Sequence, residues 1–407
     1  MTPPPPPSFV EGLGAFGADL GDREVLHVGR PNIPDREVVL DRIGAALDRR
    51  WLSNDGPAVA EFEAAVAARL DVGHCIAVSS ATQGLSVAAM AMGLKGEVLV
   101  PAFTFVATAH ALSWLGLQPV FCDIDRDTHQ LDPVVAAASI TERTSAILGV
   151  HTWGRPSDVD ALVDLAHRHD LDLFFDAAPA FGASLRGTSI GNFGRAEVVS
   201  FHATKIVTSG EGGAILTNDD DLAVRARMIR TFGFVDNDRV ESLGTNAKMS
   251  ELGAALGLSS LERYPEFRAA AERNFRRYET GLAGVPGVHL VQHPDDTEIN
   301  FHNVVVEVDP HEADVDRDLV LRILTADRVL ARRYFWPGCH RMEPYRTQRP
   351  PTDQEFPVTD LVAQRVLSLP TGSSIAVGDV DRVCALVAGI VEHGAEIRAR
   401  DEREGHG

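Results

Sequence analysis

The chain has 407 residues, of which 44% are hydrophobic and 24% are charged, and its formal net charge is −20. This length exceeds the size at which a single hydrophobic core stops growing, so we expect two domains. The composition is ordinary for a soluble globular protein, and no apolar run is long enough to span a bilayer. The negative charge argues against nonspecific binding of nucleic acid, which needs a basic surface. We expect neither a nucleic-acid nor a membrane partner.

The N-terminus carries a proline run, Pro3 to Pro7, and lacks the charged and apolar segments of a signal peptide. A proline run favours an extended, disordered chain, so we predict an N-terminal tail over residues 1–27. The absence of a signal peptide leads us to expect a cytoplasmic protein.

The cysteines are scattered along the chain, at Cys75, Cys122, Cys339 and Cys384. None forms a CxxC pair, so we expect free thiols and no zinc or iron–sulfur site.

Short apolar runs alternate with amphipathic stretches between about residues 57 and 260. The predicted strands are HCIAVS (74–79), EVLVP (97–101), QPVFCDI (118–124), SAILGV (145–150), LDLFFD (171–176), EVVSF (197–201) and GAILT (213–217). The predicted helices are 57–70, 83–93, 104–115, 132–139 and 157–169. Strands that are buried on both faces and alternate with helices indicate an α/β fold with a mostly parallel sheet.

The pattern changes after residue 250. A long helical stretch (250–283) is interrupted near Pro265, and a strand (300–308), a helix near 314–326 and an apolar helix near 377–392 follow. We predict a large domain over 28–260, a smaller C-terminal α/β domain over 261–395 and a charged tail over 396–407.

Several groups with chemical potential follow predicted strands, where ligands bind in open α/β sheets. Asp176 ends the strand LDLFFD, and Lys205 follows EVVSF within SFHATK. Taken alone, Asp176 is more typical of a turn or helix cap, and Lys205 of a surface loop. In SSATQGL (79–85) a strand passes into a helix, where backbone amides can hold a phosphate. Phe105 could stack on a planar ring, although a core phenylalanine is the simpler interpretation.

The combination is more informative than its parts. A phosphate site, an aromatic ring, a carboxylate and a lysine each follow a different predicted strand. These are the groups that a pyridoxal phosphate (PLP) cofactor requires: amides for the phosphate, a carboxylate for the pyridine nitrogen and a lysine for the aldehyde carbon. We therefore predict a PLP enzyme.

The motifs resemble those of the DegT/DnrJ/EryC1/StrS family of PLP-dependent sugar aminotransferases over roughly residues 28–395. The matching stretches include WLSNDGPAVAEFE (51–63), VPAFTFVAT (100–108), HTWGRPSDVDAL (151–162), FDAAPAFGA (175–183), SFHATKIVTSGEGGAILTND (200–219), GTNAKMSELGAALG (244–257) and ARRYFWPGCHRMEPYR (331–346). The resemblance implies the PLP-dependent transferase fold of type I, with a large domain built on a mostly parallel mixed sheet.

The resemblance also assigns roles to individual residues. It implies that Lys205 carries the cofactor as a Schiff base and that Asp176 pairs with the pyridine nitrogen. The remaining cofactor residues that it implies are Ser200 and the amides of Ala81 and Thr82 at the phosphate, Phe105 on the ring, and Asn246, which reaches the phosphate in the partner subunit. A homodimer with shared active sites follows from the role of Asn246.

One position departs from the family pattern. Pro179 stands where the family usually has histidine or glutamine, three residues after Asp176. This difference bears on contacts at the cofactor edge and on the choice of substrate. Candidate substrate-binding residues, chosen for charge or for position at a strand end, are His151, Lys248, Arg332, Arg333 and His340.

The reaction implied by the resemblance is transfer of an amino group from an amino acid, with L-glutamate as the expected donor, to a nucleotide-linked keto-deoxysugar. The segments HTWGRP, GTNAKMSE and LARRYFWPGCHRMEPYR are similar to those of enzymes that aminate C-4 of dTDP-4-keto-6-deoxyglucose in antibiotic deoxysugar pathways. Alternatives are a C-3 sugar aminotransferase, a PLP-dependent sugar dehydratase, a non-catalytic regulatory member of the family and, less favoured, a desulfurase or aldolase. An intact Lys205 argues against a dehydratase in which histidine replaces this lysine.

Overall fold

The structure is a computed structural model that describes residues 8–348 and 355–404, so the run Pro3 to Pro7 lies outside the described residues. Its strands are β1 (Leu26–His27), β2 (His74–Val78), β3 (Glu97–Pro101), β4 (Gln118–Cys122), β5 (Thr144–Val150), β6 (Asp172–Asp176), β7 (Ser184–Leu185), β8 (Thr188–Ser189), β9 (Ala196–Ser200), β10 (Gly213–Thr217), β11 (Val288–Leu290), β12 (Thr297–Glu298), β13 (Val304–Val308), β14 (Val329–Leu330) and β15 (Val366–Leu369).

The helices are α1 (Arg36–Arg49), α2 (Pro57–Leu70), α3 (Ala81–Met92), α4 (Val106–Ser113), α5 (Pro133–Ala138), α6 (Val159–Arg168), α7 (Asp220–Arg230), α8 (Glu251–Glu262), α9 (Tyr264–Gly281), α10 (Pro310–Ala313), α11 (Arg317–Ala326), α12 (Tyr345–Gln348), α13 (Pro357–Arg365), α14 (Val377–Glu392) and α15 (Gly394–Glu404).

A seven-stranded sheet with the order β2-β10-β9-β6-β5-β3-β4 forms the centre of the larger part of the molecule. All neighbouring pairs are parallel except those of β10, which runs antiparallel to β2 and β9. The seven predicted strands all occur, and the expectation of a mostly parallel α/β sheet is confirmed. Consequently β2, β3, β5, β6 and β9 all end at one edge of the sheet, where α/β proteins bind their ligands.

Helix α2 illustrates how the sequence pattern produces the layers around this sheet. Pro57 at its first turn is compatible with helix entry, because the first amides have no partner within the helix. Val59, Phe62, Val66 and Leu70 recur at helical spacing and are all buried. The predicted apolar stripe is therefore the face that packs on the protein core.

The C-terminal part contains the antiparallel sheet β11-β13-β15, packed against helices such as α11 and α14. The long helical stretch predicted around Pro265 is two helices, because α8 ends at Glu262 and α9 begins at Tyr264. A proline lacks an amide proton for the helical ladder, so it is tolerated in the first turn of α9 but not within one continuous helix.

Both predicted tails differ from the structure. From residue 8 onward the N-terminal segment packs on the C-terminal part: Val10 and Leu13 are buried, and β1 pairs with β14. The charged C-terminal segment forms α15, which Ile397 anchors in the same core. The N-terminal segment is held by several buried apolar residues and the C-terminal one by Ile397, and this burial was not evident from the composition of either segment.

Within the described ranges, no helix combines the length and the apolar character needed to cross a membrane. Each of the four cysteines is buried and has no disulfide partner, as expected.

Candidate active site

A cavity of about 360 Å³ opens at the edge of the seven-stranded sheet where its parallel strands end. Two groups of residues form its sides. The sheet-edge wall comprises Ala81, Thr82, Phe105, Asp176, Ser200 and Lys205. The C-terminal wall comprises His302, Asn303, Tyr334, Phe335 and Thr371. Six of the seven residues predicted to contact a cofactor therefore lie around one cavity.

Asp176, the last residue of β6, has both carboxylate oxygens held by neighbours. Its Oδ2 accepts a hydrogen bond from the Thr108 hydroxyl (2.7 Å), and its Oδ1 accepts one from the backbone amide of Ala178 (3.0 Å). The Thr108 hydroxyl is in turn 2.8 Å from that of Thr104. Burial raises the pKa of Asp176, against the opposing effects of Thr108, Ala178 and the charge of Lys205. A buried carboxylate of this kind is stabilised by a positive partner in the cavity.

Lys205 lies in a turn that follows β9, and its side chain points into the cavity. The turn is closed by backbone bonds from Ser209 to Phe201 O and from Phe201 to Gly212 O, both 2.9 Å. Burial lowers the pKa of Lys205, and the charge of Asp176 raises it by a smaller amount. A lowered pKa increases the fraction of neutral amine, which is the form that acts as nucleophile or base.

The start of α3 forms the third feature of the sheet-edge wall. The Ser80 hydroxyl caps this helix by accepting from the amide of Gln83 (3.2 Å), while the first helical amides have no partner within the helix. Gly213 lies so close that a Cβ there would be 2.6 Å from the Ala81 nitrogen. The beginning of β10 and Ser200 at the end of β9 thus meet the helix N-terminus, a setting that favours an anion.

Phe105 and Pro179 line the same cavity. Phe105 precedes α4 and is 58% exposed, so one ring surface remains uncovered, as a stacking role requires. Pro179 offers no side-chain hydrogen bond, and its carbonyl accepts from the Asn300 side chain (2.9 Å). The segment from Asn300 to Asn303 is therefore held next to Pro179, and both line the cavity.

Sequence reasoning singled out no residue of the C-terminal wall. His302 lies close enough to Lys205 that burial, together with the lysine charge, lowers its pKa to about 3. Trp153 also lines the cavity and stacks on Phe335 with 5.4 Å between ring centroids. These residues come from loops and turns distant from one another in the chain, and the only signal was the polar pair His302-Asn303 before an apolar strand.

His151 and His340, two of the predicted substrate-binding residues, instead form contacts inside the protein core. His151 is fully buried, with the amide of Ser157 donating to Nδ1 (2.9 Å) and Nε2 2.9 Å from Glu197 Oε2. His340 is buried against Phe356, and its Nε2 lies 3.3 Å from Asp360. Neither side chain lines the cavity, so both predictions are corrected.

The other three cationic candidates also lie outside this cavity. Lys248 lies over the ring of Phe232, with 4.6 Å between its Nζ and the ring centroid. Arg332 pairs with Ser368 through its backbone, and Arg333 donates to Asp318. Their charge suggested a role in binding substrate, but all three lie in irregular segments outside the cavity, and Lys248 and Arg333 have other partners within the chain.

Asn246 is exposed and does not reach the cavity of its own chain. It lies at the base of a hairpin-like segment, where it forms an isolated bridge with Thr231. The role predicted for Asn246, at the cofactor of a partner subunit, therefore requires a second copy of the chain.

The mixed sheet, the C-terminal α/β part and the lysine and aspartate at the sheet edge define a PLP-dependent transferase of fold type I. Residues 35–388 match the DegT/DnrJ/EryC1/StrS aminotransferase family. GDP-perosamine synthase of Caulobacter vibrioides is 35% identical over 90% of this chain and 98% of its own length. The dTDP-4-amino-4,6-dideoxy-D-glucose transaminase of Shigella dysenteriae is 31% identical over 86% and 95% of the two chains.

Among solved structures, the crystal structure of DesI in the presence of its TDP-sugar product superposes with a TM-score of 0.93. It is 47% identical to this chain, and the match covers 97% of this chain and 100% of DesI. The chain belongs to the DegT/DnrJ/EryC1/StrS family, and it is a PLP-dependent sugar aminotransferase.

Proposed function

We propose that this protein transfers an amino group from L-glutamate to C-4 of a dTDP-linked 4-keto-6-deoxyglucose, using PLP held at the sheet-edge wall. The observation that carries the chemistry is the meeting of Lys205, Asp176 and the start of α3 around one cavity. The choice of C-4 is supported by a relative named for a 4-amino-4,6-dideoxyglucose product and by the similarity to DesI, crystallised with a TDP-sugar.

The residues present fit the cofactor. Asp176 is a buried carboxylate that forms no ion pair within the described part of the chain, and a protonated pyridine nitrogen would supply the missing positive charge. The amides of Ala81 and Thr82 with the Ser200 hydroxyl would hold the phosphate, and the exposed ring of Phe105 would cover the pyridine face. When bound, PLP withdraws electrons from the carbon that carries the amino group.

Lys205 would serve two purposes. Its amine would hold the cofactor before substrate binds, and once displaced by the donor amine it would move a proton to and from the substrate carbon. Burial lowers the pKa of Lys205, so that a larger share of the amine is neutral and able to accept this proton. The aromatic groups Trp153, Tyr334 and Phe335 would exclude water from the reacting carbon.

The alternatives are less well supported. A C-3 aminotransferase would share all of the groups at the sheet edge, so only the substrate distinguishes it. The presence of Lys205 disfavours a dehydratase of the kind that has histidine at this position, and the intact pair of Lys205 and Asp176 disfavours a non-catalytic regulatory member.

The first experiment is to purify the protein with PLP, reduce it with borohydride and map the modified peptide by mass spectrometry. The cofactor should be attached to Lys205.

The second experiment is to supply L-glutamate with dTDP-linked 4-keto or 3-keto 6-deoxyglucose and to identify the amino sugar by NMR. Amination of the 3-keto sugar alone would reject the C-4 proposal and leave the aminotransferase assignment intact.

We also propose a homodimer in which Asn246 of each subunit completes the phosphate site of the other. The segment between Thr231 and Asn246 exposes apolar side chains, including Phe232 (47% exposed) and Leu243 (82%). Exposed apolar groups on one projecting segment are typical of a protein–protein contact. The position of Asn246 at the base of this segment supports the proposal that a second copy covers it.

A subunit-mixing experiment tests the shared site. We expect Lys205→Ala and Asn246→Ala each to be nearly inactive as pure dimers. After the two variants are mixed and re-associated, about a quarter of the normal activity should return, because half of the dimers are hybrids and each has one intact site. Failure to recover any activity, with hybrids verified by native mass spectrometry, would show that Asn246 serves its own subunit.

A further inference from the structure

The C-terminal wall contains two buried polar atoms that have no hydrogen-bond partner in the part of the chain that the structure describes. They are Asn303 Nδ2 and Thr371 Oγ1, and both residues line the cavity. Thr371 is only 8% exposed. A buried polar group without a partner costs about 1–3 kcal/mol, so its presence in a folded protein calls for an explanation.

These two residues lie at the same end of one pair of strands. Asn303 directly precedes β13, and Thr371 follows β15 by two residues. The antiparallel register pairs Val304 with Leu369, and continuing it by two positions sets His302 opposite Thr371. Both unpartnered groups therefore belong to residues that line the cavity from this end of one sheet.

Neighbouring side chains hold both segments in place. The Asn300 side chain donates to the carbonyls of Pro179 (2.9 Å) and Phe181 (3.0 Å) and accepts from the amide of His302 (3.0 Å). These bonds fix the backbone just before Asn303, and the pairing of β13 with β15 fixes it just after.

The segment that carries Thr371 is held in the same way. The buried Asn274 side chain donates to the Gly372 carbonyl (3.1 Å), and the Tyr278 hydroxyl donates to that of Pro370 (2.9 Å). Groups that are fixed in position and left unpaired are characteristic of a preorganised ligand site.

We propose that Asn303 and Thr371 bind a ring hydroxyl of the sugar substrate, an inference that rests on the proposed function. The charged side chains that line the cavity are Lys205, Asp176 and Glu211, and no arginine lines it within the described residues. A donor carboxylate would require a cation, whereas an amide and a hydroxyl match a sugar hydroxyl that both donates and accepts. The pair is thus a specificity determinant for the sugar and not for the amino donor.

The consequence is selection against sugars that lack this hydroxyl. A site that offers buried hydrogen-bonding groups rejects an analogue without the matching group, because the site's own polar atoms then remain unpaired. We expect the unmodified protein to turn over the substrate analogue that lacks this ring hydroxyl at least tenfold more slowly than the substrate that carries it.

Thr371→Val tests the proposal, because valine has nearly the same shape and lacks the hydroxyl. We expect its kcat/KM for the keto sugar to fall about tenfold, the loss expected for one hydrogen bond, while the half-reaction with L-glutamate keeps its rate. Calorimetry should show a similar loss of affinity for the amino-sugar product, which provides a readout that does not depend on turnover.

Thr217→Val is the matched control. The Thr217 hydroxyl is buried, donates to the Arg195 carbonyl (2.6 Å) and lies outside the cavity. Removing it should lower the Tm without changing the discrimination between sugars. Thr371→Val, which removes an unpaired hydroxyl, should leave the Tm unchanged or raise it, and a fall in Tm with unchanged sugar kinetics would indicate a structural role and overturn the proposal.

Asn303→Asp distinguishes a sugar hydroxyl from the carboxylate of the amino donor as the ligand of Asn303. A sugar hydroxyl can reverse its hydrogen bond and donate to the aspartate, whereas a donor carboxylate would be repelled. A loss confined to the L-glutamate half-reaction would overturn the assignment in favour of the amino donor. If the unmodified protein aminated no nucleotide sugar and calorimetry detected no binding, the proposed function itself would fail, independently of the variants.

Discussion

The two walls of the cavity differ in how completely their polar groups are paired. At the sheet-edge wall, Asp176 accepts hydrogen bonds from Thr108 and Ala178, and the turn of Lys205 is closed by backbone bonds. At the C-terminal wall, polar atoms of Asn303 and Thr371 remain unpaired. The carboxylate of Asp176 and the turn of Lys205 are thus held in place by the protein itself before any ligand arrives, whereas Asn303 and Thr371 gain partners only from what binds.

This difference corresponds to the demands of the two ligands. A cofactor that stays through many turnovers benefits from a carboxylate and an amine that are held in one geometry. A substrate must bind and leave, and it is recognised when its own groups satisfy buried atoms that otherwise have no partner. Each wall can therefore be disturbed separately, and the expected effects differ in size and in the half-reaction that they change.

Lys205→Ala should have the largest effect, because it removes both the attachment point and the proton carrier from the sheet-edge wall. We expect turnover to fall by about 10⁴-fold, with PLP retained only noncovalently. Steady-state kinetics and borohydride mapping measure the two effects. Turnover within tenfold of normal would exclude the role assigned to this lysine.

Asp176→Asn should come next. The amide keeps the shape of the carboxylate but not its charge, so it cannot stabilise a positive pyridine nitrogen. Removing one partner of a buried charge pair costs about 3–5 kcal/mol, so the rates of both half-reactions should fall by about 150- to 5,000-fold. Because the change is at the sheet-edge wall, the KM for the sugar should remain close to normal. A selective rise in that KM would contradict the division between the walls.

The sheet-edge wall was largely predictable from sequence, and the C-terminal wall was not. Asp176, Ser200 and Lys205 follow apolar strands directly, so strand direction alone brings them to one edge. Asn303 and Thr371 are brought to one cavity only through the pairing of β13 with β15, which a single sequence does not reveal. His151 also follows a strand, but its ring turns back towards Glu197, and only the packing around it determines that direction.

Thr108→Val should have a smaller effect on the sheet-edge wall, because Asp176 keeps its bond from Ala178. Thr108 lowers the pKa of Asp176, so its loss should raise that pKa further and weaken the pairing with the cofactor. We expect PLP to bind about tenfold more weakly, consistent with one hydrogen bond to a charged group. Titration of the PLP-free protein with the cofactor measures this. Unchanged affinity would mean that the Thr108 bond positions the aspartate without stabilising its charge.

Glu307→Gln tests how the walls are joined. Glu307 on β13 accepts from Arg126 (2.6 and 2.8 Å) and lies 3.0 Å from His129 Nε2, while the indole of Trp153 donates to His129 Nδ1 (3.1 Å). Burial acts to raise the pKa of Glu307, but the bonds and charges of His129 and Arg126 lower it to about 2, from an ordinary 4.5.

Because the folded-state pKa of Glu307 is depressed, its carboxylate contributes stability above about pH 4.5, and this contribution is lost as the pH falls towards 2. Glu307→Gln should therefore lower the stability by about 2–3 kcal/mol at pH 7, and the difference in Tm from the unmodified protein should shrink below pH 4.5. The chemistry should slow only a few-fold, since Lys205 and Asp176 keep their partners. A Tm difference that stays constant from pH 7 to pH 3.5 would show that the charge of Glu307 does not link the walls, and that glutamine disturbs only their packing.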